Sequence, residues 1–81
     1  MIVGDIVYVI GRGNIICSVL GDNDIIHIND NIKIKNHIFD ITGIEMWEHS
    51  KNIGIILKPN NLIQELVNIG DEIKIIKKEL I

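Results

Sequence analysis

Three histidines, one cysteine, two serines and a scatter of carboxylates are the groups in this 81-residue chain that can do chemistry. Their spacing argues against most of it. His27, His37 and His49 neither recur at short intervals nor bracket Cys17, as zinc ligands do, so surface histidines and no metal site are expected. Asp22-Asn23-Asp24 has the spacing that starts a calcium loop but lacks its later glycine and glutamate, which leaves a turn. Cys17 sits between Ile16 and Ser18 with no basic neighbour, the setting of a packed, inert thiol. Ser18 and Ser50 lie on no nucleophile elbow, and Asp71-Glu72 reads as a solvated turn. No catalytic residue, cofactor or metal is therefore expected. Three features suit binding instead. Arg12 between two glycines can meet a phosphate. Trp47 is either an exposed contact residue or the edge of a core. Lys33, Lys35, Lys74, Lys77 and Lys78 form a basic face if their strands are neighbours.

The elements that must position these residues are strands. Isoleucine is the commonest residue, alanine is absent, and leucine is scarce. A side chain branched at Cβ suits a pleated surface better than a helix. Turn signals arrive every eight to twelve residues, the rhythm of a small sandwich or barrel. Seven strands are expected, at 5–10, 14–20, 25–28, 31–35, 38–47, 52–57 and 72–77. Gly11-Arg12-Gly13, Gly21 to Asp24, Asn29-Asp30 and Asn36-His37 are turns. Gly43 inside a long apolar strand predicts a bulge. Glu48 to Lys51 is a loop, and Pro59 ends the sheet. A helical turn follows over 62–67, capped by Asn60 or Asn61. Lys78 to Ile81 is a ragged end.

One echo runs through the pattern. Ile28-Asn29-Asp30-Asn31-Ile32-Lys33-Ile34 returns as Ile69-Gly70-Asp71-Glu72-Ile73-Lys74-Ile75, with Val3-Gly4-Asp5-Ile6-Val7 a fainter third copy. It reads as a repeated device, a turn closed by Asp and then an outgoing strand.

Composition narrows the classes further. One domain spanning 1–81 is all that fits. With 47% hydrophobic residues, disorder is not expected. No apolar run nears the roughly 18 residues of a membrane span. The apolar start has no basic region before it and is broken by Asp5, so no leader is expected. A single cysteine fits a reducing, cytoplasmic setting. Net charge −3 supplies no global basic field for nucleic acid.

In order along the chain, these segments resemble the second domain of translational GTPases such as elongation factor Tu. That family's apolar strand followed by Gly-Arg-Gly-Thr-Val-Val is matched by Val7-Tyr8-Val9-Ile10-Gly11-Arg12-Gly13-Asn14-Ile15-Ile16. Its Val-Gly-Asp turn and Val-x-Ile strand are matched by residues 28–34. Its Thr-Gly-Val-Glu-Met-Phe is matched by Thr42-Gly43-Ile44-Glu45-Met46-Trp47, and its Asn-Val-Gly-Leu-Leu-Leu by Asn52-Ile53-Gly54-Ile55-Ile56-Leu57. The turn before Gly11 is one residue shorter than the family's, Asn14 replaces a Thr, and Pro59-Asn60 with residues 62–67 replaces a charged loop.

The resemblance implies a small closed antiparallel β-barrel of six to seven strands. It also implies an RNA-end pocket at Gly11, Arg12, Ile15, Glu45, Asn52 and Ile56, with Ile15 and Ile56 supporting a base and Arg12 near phosphate. In a bare barrel those two isoleucines would be core residues. GTP hydrolysis is not implied, because no Gly-Lys pair exists to build a phosphate loop. Two functions follow as expectations. The first is a non-catalytic module that binds RNA or the ribosome in translation. The second is a protein–protein or self-association module with no RNA role, for which Trp47 is the contact to suspect. A lysine face would favour RNA, and a flat apolar patch around Trp47 would favour protein.

Overall fold

The chain is described by a computed structural model covering residues 1–47 and 49–78. Of the expected segments, the start of the 48–51 loop and most of the 78–81 end lie outside the described residues. Among the described residues six strands form, β1 (Asp5–Val9), β2 (Gly13–Val19), β3 (Asn31–Ile34), β4 (His37–Met46), β5 (Asn52–Leu57) and β6 (Lys74–Ile76). A short helix, α1 (Leu62–Leu66), lies between β5 and β6. All pairings are antiparallel, in the order β1-β2-β5-β4-β3-β6.

Alternation builds the core. Ile16 on β2, Ile32 and Ile34 on β3, and Ile53, Ile55 and Leu57 on β5 all point to one side and are fully buried. On β4 the parity changes midway. Phe39 and Ile41 face the core, the register slips between Ile41 and Gly43, and Ile44 then packs inward. The bulge expected at Gly43 is thus what turns Gly43 and Glu45 to the opposite face. The two-residue loop Lys35-Asn36 joins β3 to β4 with both residues at positive φ (50° and 66°), the hairpin geometry that matches strand twist. The helix closes one end of the core with Ile63 and Val67. Asn60 supplies its cap, its Oδ1 accepting from Leu62 N at 2.9 Å, while Asn61 makes no side-chain cap bond.

Two expectations are corrected. Residues 25–28 form no strand. They lie between two turns closed by aspartates, and Lys77 Nζ donates to the Ile25 carbonyl, so little chain is left to join a ladder. The sheet is also not closed into a barrel. β1 and β6 stand at opposite ends of the strand order. Among the described residues it is the segment before β1 that reaches across: Val3 N donates to Asp71 O at 2.9 Å, Gly70 N to Val3 O at 2.8 Å and Ile73 N to Met1 O at 2.7 Å. An isolated antiparallel bridge, Ile2 to Glu72, lies between these flanking segments, outside both strands. With three residues, β6 is too short to carry the ladder on along β1.

The repeated device is real, in a revised set of copies. Asp30 N donates to His27 O, and the Asp30 carboxylate accepts from His27 N at 2.9 Å. Asp71 does the same with Asn68, at 2.8 Å for the side-chain bond. Asn29 and Gly70 precede them with φ of 82° and 96°. The turn alone, with no strand after it, recurs at Gly21 to Asp24, whose carboxylate accepts from Gly21 N at 2.7 Å. Asp5 is not a copy, because its carboxylate accepts from Ile6 N next to it. The strands leaving the first two turns, β3 and β6, pair with each other. Each aspartate thereby meets a lysine from the far end of the other copy: Asp30 meets Lys77 at 3.0 Å, and Asp71 meets Lys35 at 3.3 Å.

Candidate functional site

Residues that alternate with the core positions form the outer face of β1, β2, β5 and β4. Val7 pairs with Ile15, Ile15 with Ile56, and Ile56 with Gly43. One step along, Asp5 pairs with Cys17, Cys17 with Gly54, and Gly54 with Glu45. Gly54 is the hinge of this arrangement. A Cβ there would lie 3.1 Å from Ile15 Cγ2, 3.6 Å from Trp47 Cη2 and 3.7 Å from Glu45 Cβ. The bare backbone at Gly54 therefore lets an aliphatic side chain, an aromatic ring and a carboxylate arm gather over one point. Arg12, carried by the β1–β2 turn, reaches 33 residues along the chain to pair with the Glu45 carboxylate.

Four of the six expected pocket residues, Ile15, Glu45, Asn52 and Ile56, thus belong to one face, and Arg12 joins them through Glu45. Ile15 is only 6% exposed and is one of the buried hydrophobic residues, while it and Ile56 lie outside the main core cluster. The physical reason is the alternation set by Ile16 and Ile55. Gly11, with φ 87°, serves the turn, and together with Arg12 it lines a cavity of about 560 Å³ with Tyr8, Asn14, Pro59 and Gln64. The buried Asn14 Oδ1 beside that cavity has no hydrogen-bond partner among the described residues.

Comparison with known proteins adds no relative. No family model matches the chain, and no curated protein or solved structure matches it either. What the face can do must come from its own chemistry.

Trp47 is half exposed and lies at the mouth of a cavity of about 420 Å³ with Gly4, Cys17, Ser18, Val19, Asn52 and Ile53. In the sequence Ser18 is considered only as a nucleophile and Gly4 only as part of a repeat, while Val19 has no assigned role. Period-two alternation along β2 was the signal for Val19, which follows Ile15 and Cys17 outward. Burial and then the nearby Asp5 charge push the Cys17 thiol up, so it is protonated at neutral pH and a poor nucleophile. Among the described residues, no three of His, Cys, Asp and Glu gather closely enough to hold a metal ion. Among the same residues, no helix is long and apolar enough to cross a membrane.

The expected lysine face is divided. Lys33 and Lys74 stand directly opposite one another on β3 and β6. Lys35 and Lys77 are instead drawn into the Asp71 and Asp30 pairs, and Lys35 also donates to Leu66 O at the end of the helix.

Proposed function

We propose that this chain is a non-catalytic, cytoplasmic binding module of the translation-factor second-domain type, which engages RNA or the ribosome through the outer face of its sheet. The observation that carries this is the meeting of Arg12 and Glu45 beside the Ile15–Ile56 pair. An aliphatic floor supports the face of an unpaired base, a carboxylate accepts from ribose hydroxyls or base amines, and a guanidinium meets phosphate. Fluorescence anisotropy of a labelled single-stranded RNA ending in CCA tests it. Binding that weakens with salt and falls at least roughly tenfold in Arg12→Ala supports the proposal. Anisotropy that stays flat up to millimolar protein defeats it.

One observation favours a second reading, a module for protein partners. The cationic groups that RNA would use are largely engaged within the chain, Arg12 by Glu45, Lys35 by Asp71 and Lys77 by Asp30. Meanwhile Val19, Trp47 and Ile2 remain in solvent, and exposed aromatic and aliphatic groups at one place mark contact surfaces. In that case Trp47→Ala abolishes partner capture and Arg12→Ala leaves it intact.

A further inference from the structure

The cavity at Trp47 does not end at Val19. Gly4, Ser18 and Val19 also line a second cavity of about 510 Å³, which continues to Met1, Ile2, Gly21 and Asp24. Together they make one groove. Its apolar wall is Trp47, Val19 and Ile2, which are 50%, 58% and 60% exposed. Its floor is held in place, because Ser18 Oγ donates to Ile2 O at 2.5 Å and Gly4 N donates to Cys17 O at 2.8 Å.

Two carboxylates stand along this groove. Asp5 follows Gly4 and stands directly opposite Cys17, which lines the first cavity. Asp24 lines the far cavity. Both carboxylates accept a backbone N–H, from Ile6 and from Gly21, and neither is in an ion pair among the described residues. Lys74 and Lys77 share a third cavity with Asp24, Lys77 being held by Asp30, and the other cations nearby are engaged elsewhere. Lys51 pairs with Asp22, Arg12 pairs with Glu45, and the N-terminal ammonium points to Ile73 O at 3.5 Å.

From this complementarity we infer that the groove is a docking site for a basic peptide segment with apolar anchors, the anchors filling the two cavities and lysine or arginine side chains facing Asp5 and Asp24. Phosphate is repelled by the same two carboxylates, so nucleic acid is the wrong occupant for this groove. The inference rests on the protein-partner reading of the preceding subsection and gives that partner its chemistry.

Two capped pentapeptides test it against the ¹⁵N-labelled full chain by NMR, Lys-Leu-Ser-Phe-Lys and Glu-Leu-Ser-Phe-Glu. The lysine peptide is expected to shift the Trp47 indole, Val19 and Ile2 signals and to bind roughly three- to tenfold more tightly than the glutamate peptide at low salt. The double variant Asp5→Asn, Asp24→Asn retains both backbone acceptors, so the fold persists, and it is expected to erase that preference. Equal binding of the two peptides, or a preference for the glutamate peptide, overturns the charge assignment while leaving a protein-contact surface standing. No shift with either peptide at millimolar concentration overturns both. Shifts of the same groove signals by a CCA-ended RNA, strengthened in the double variant, would make RNA the occupant and also refute the inference.

Discussion

Asp30 is the residue whose loss should cost this fold most per atom removed. Its carboxylate, 7% exposed, accepts from His27 N at 2.9 Å, Lys78 N at 3.1 Å and Lys77 Nζ at 3.0 Å. It therefore ties the entry to β3 to the chain leaving β6. A hydrogen bond to a charged acceptor is worth about 1.5–3 kcal/mol net. Taking the lower figure for the two backbone bonds, and at most about 1 kcal/mol for the half-exposed Lys77, Asp30→Ala should cost about 4 kcal/mol. Asp30→Asn keeps one acceptor and should cost about 2 kcal/mol. Asp71→Ala, which removes one backbone bond and one pair at a more exposed turn, should cost about 1–2 kcal/mol.

Urea titration followed by Trp47 fluorescence reads these values. At a slope near 1 kcal/mol/M for so small a chain, Asp30→Asn should lower the midpoint by about 2 M. The pH dependence is a second readout. Burial pushes the Asp30 carboxyl up, but the bonds from Lys78 N, Lys77 Nζ and His27 N outweigh it and hold the group below its ordinary value of 3.8. A depressed native carboxyl stabilises the fold above the unfolded value, and that contribution is lost as pH falls below about 4 through the native one. Asp30→Asn should flatten this acid limb. If Asp30→Ala costs no more than Asp71→Ala, or if the acid limb is unchanged in Asp30→Asn, the linking role assigned to Asp30 is wrong.

Three further outcomes are expected. Gly54→Ala should destabilise by about 1–2 kcal/mol and alter the Trp47 emission maximum, because the new methyl meets Ile15 and the indole; unchanged emission with unchanged stability would contradict the packing over Gly54. Arg12→Ala should change the urea midpoint by less than an equivalent of about 1 kcal/mol, since its pair with Glu45 is exposed, so any large effect on ligand binding can be read apart from stability. Cys17 should react with iodoacetamide more slowly than a free thiol at pH 8, and alkylation as fast as in urea-unfolded chain would show the thiol to be neither shielded nor raised.

Much of the fold was legible in the sequence because its determinants are local. Ile32 and Ile34 alternating with Lys33 and Lys35 mark β3, and Gly43 marks the bulge that reverses β4. The false strand at 25–28 shows where local pattern fails. Its isoleucines suit a sheet, but the turn at Asp24 and the turn at Asp30 fix the chain on both sides. Barrel closure was likewise not written in any segment, since it depends on how far β6 runs beside β1.

The site was legible in part for the same reason. Arg12 and Glu45 could be named singly from the Gly-Arg-Gly and Gly-Ile-Glu stretches, and their contact spans the sheet. Gly11 is harder to read, because a glycine required by positive φ looks, in sequence, like one required by a ligand. Val19 and Ile2 were passed over because a lone exposed aliphatic residue carries no signal until a fold puts it beside a tryptophan.

The account turns on whether the outer face is where this molecule meets its partner. Backbone and indole NMR shifts of the labelled chain, titrated with a short single-stranded RNA ending in CCA at low and moderate salt, test that most directly. The account predicts salt-sensitive shifts at Arg12, Ile15, Glu45, Asn52 and Ile56, with the Lys33–Lys74 side of the sheet silent. Shifts confined to Lys33, Lys74 and their neighbours, or none at millimolar RNA, would contradict RNA binding at this face.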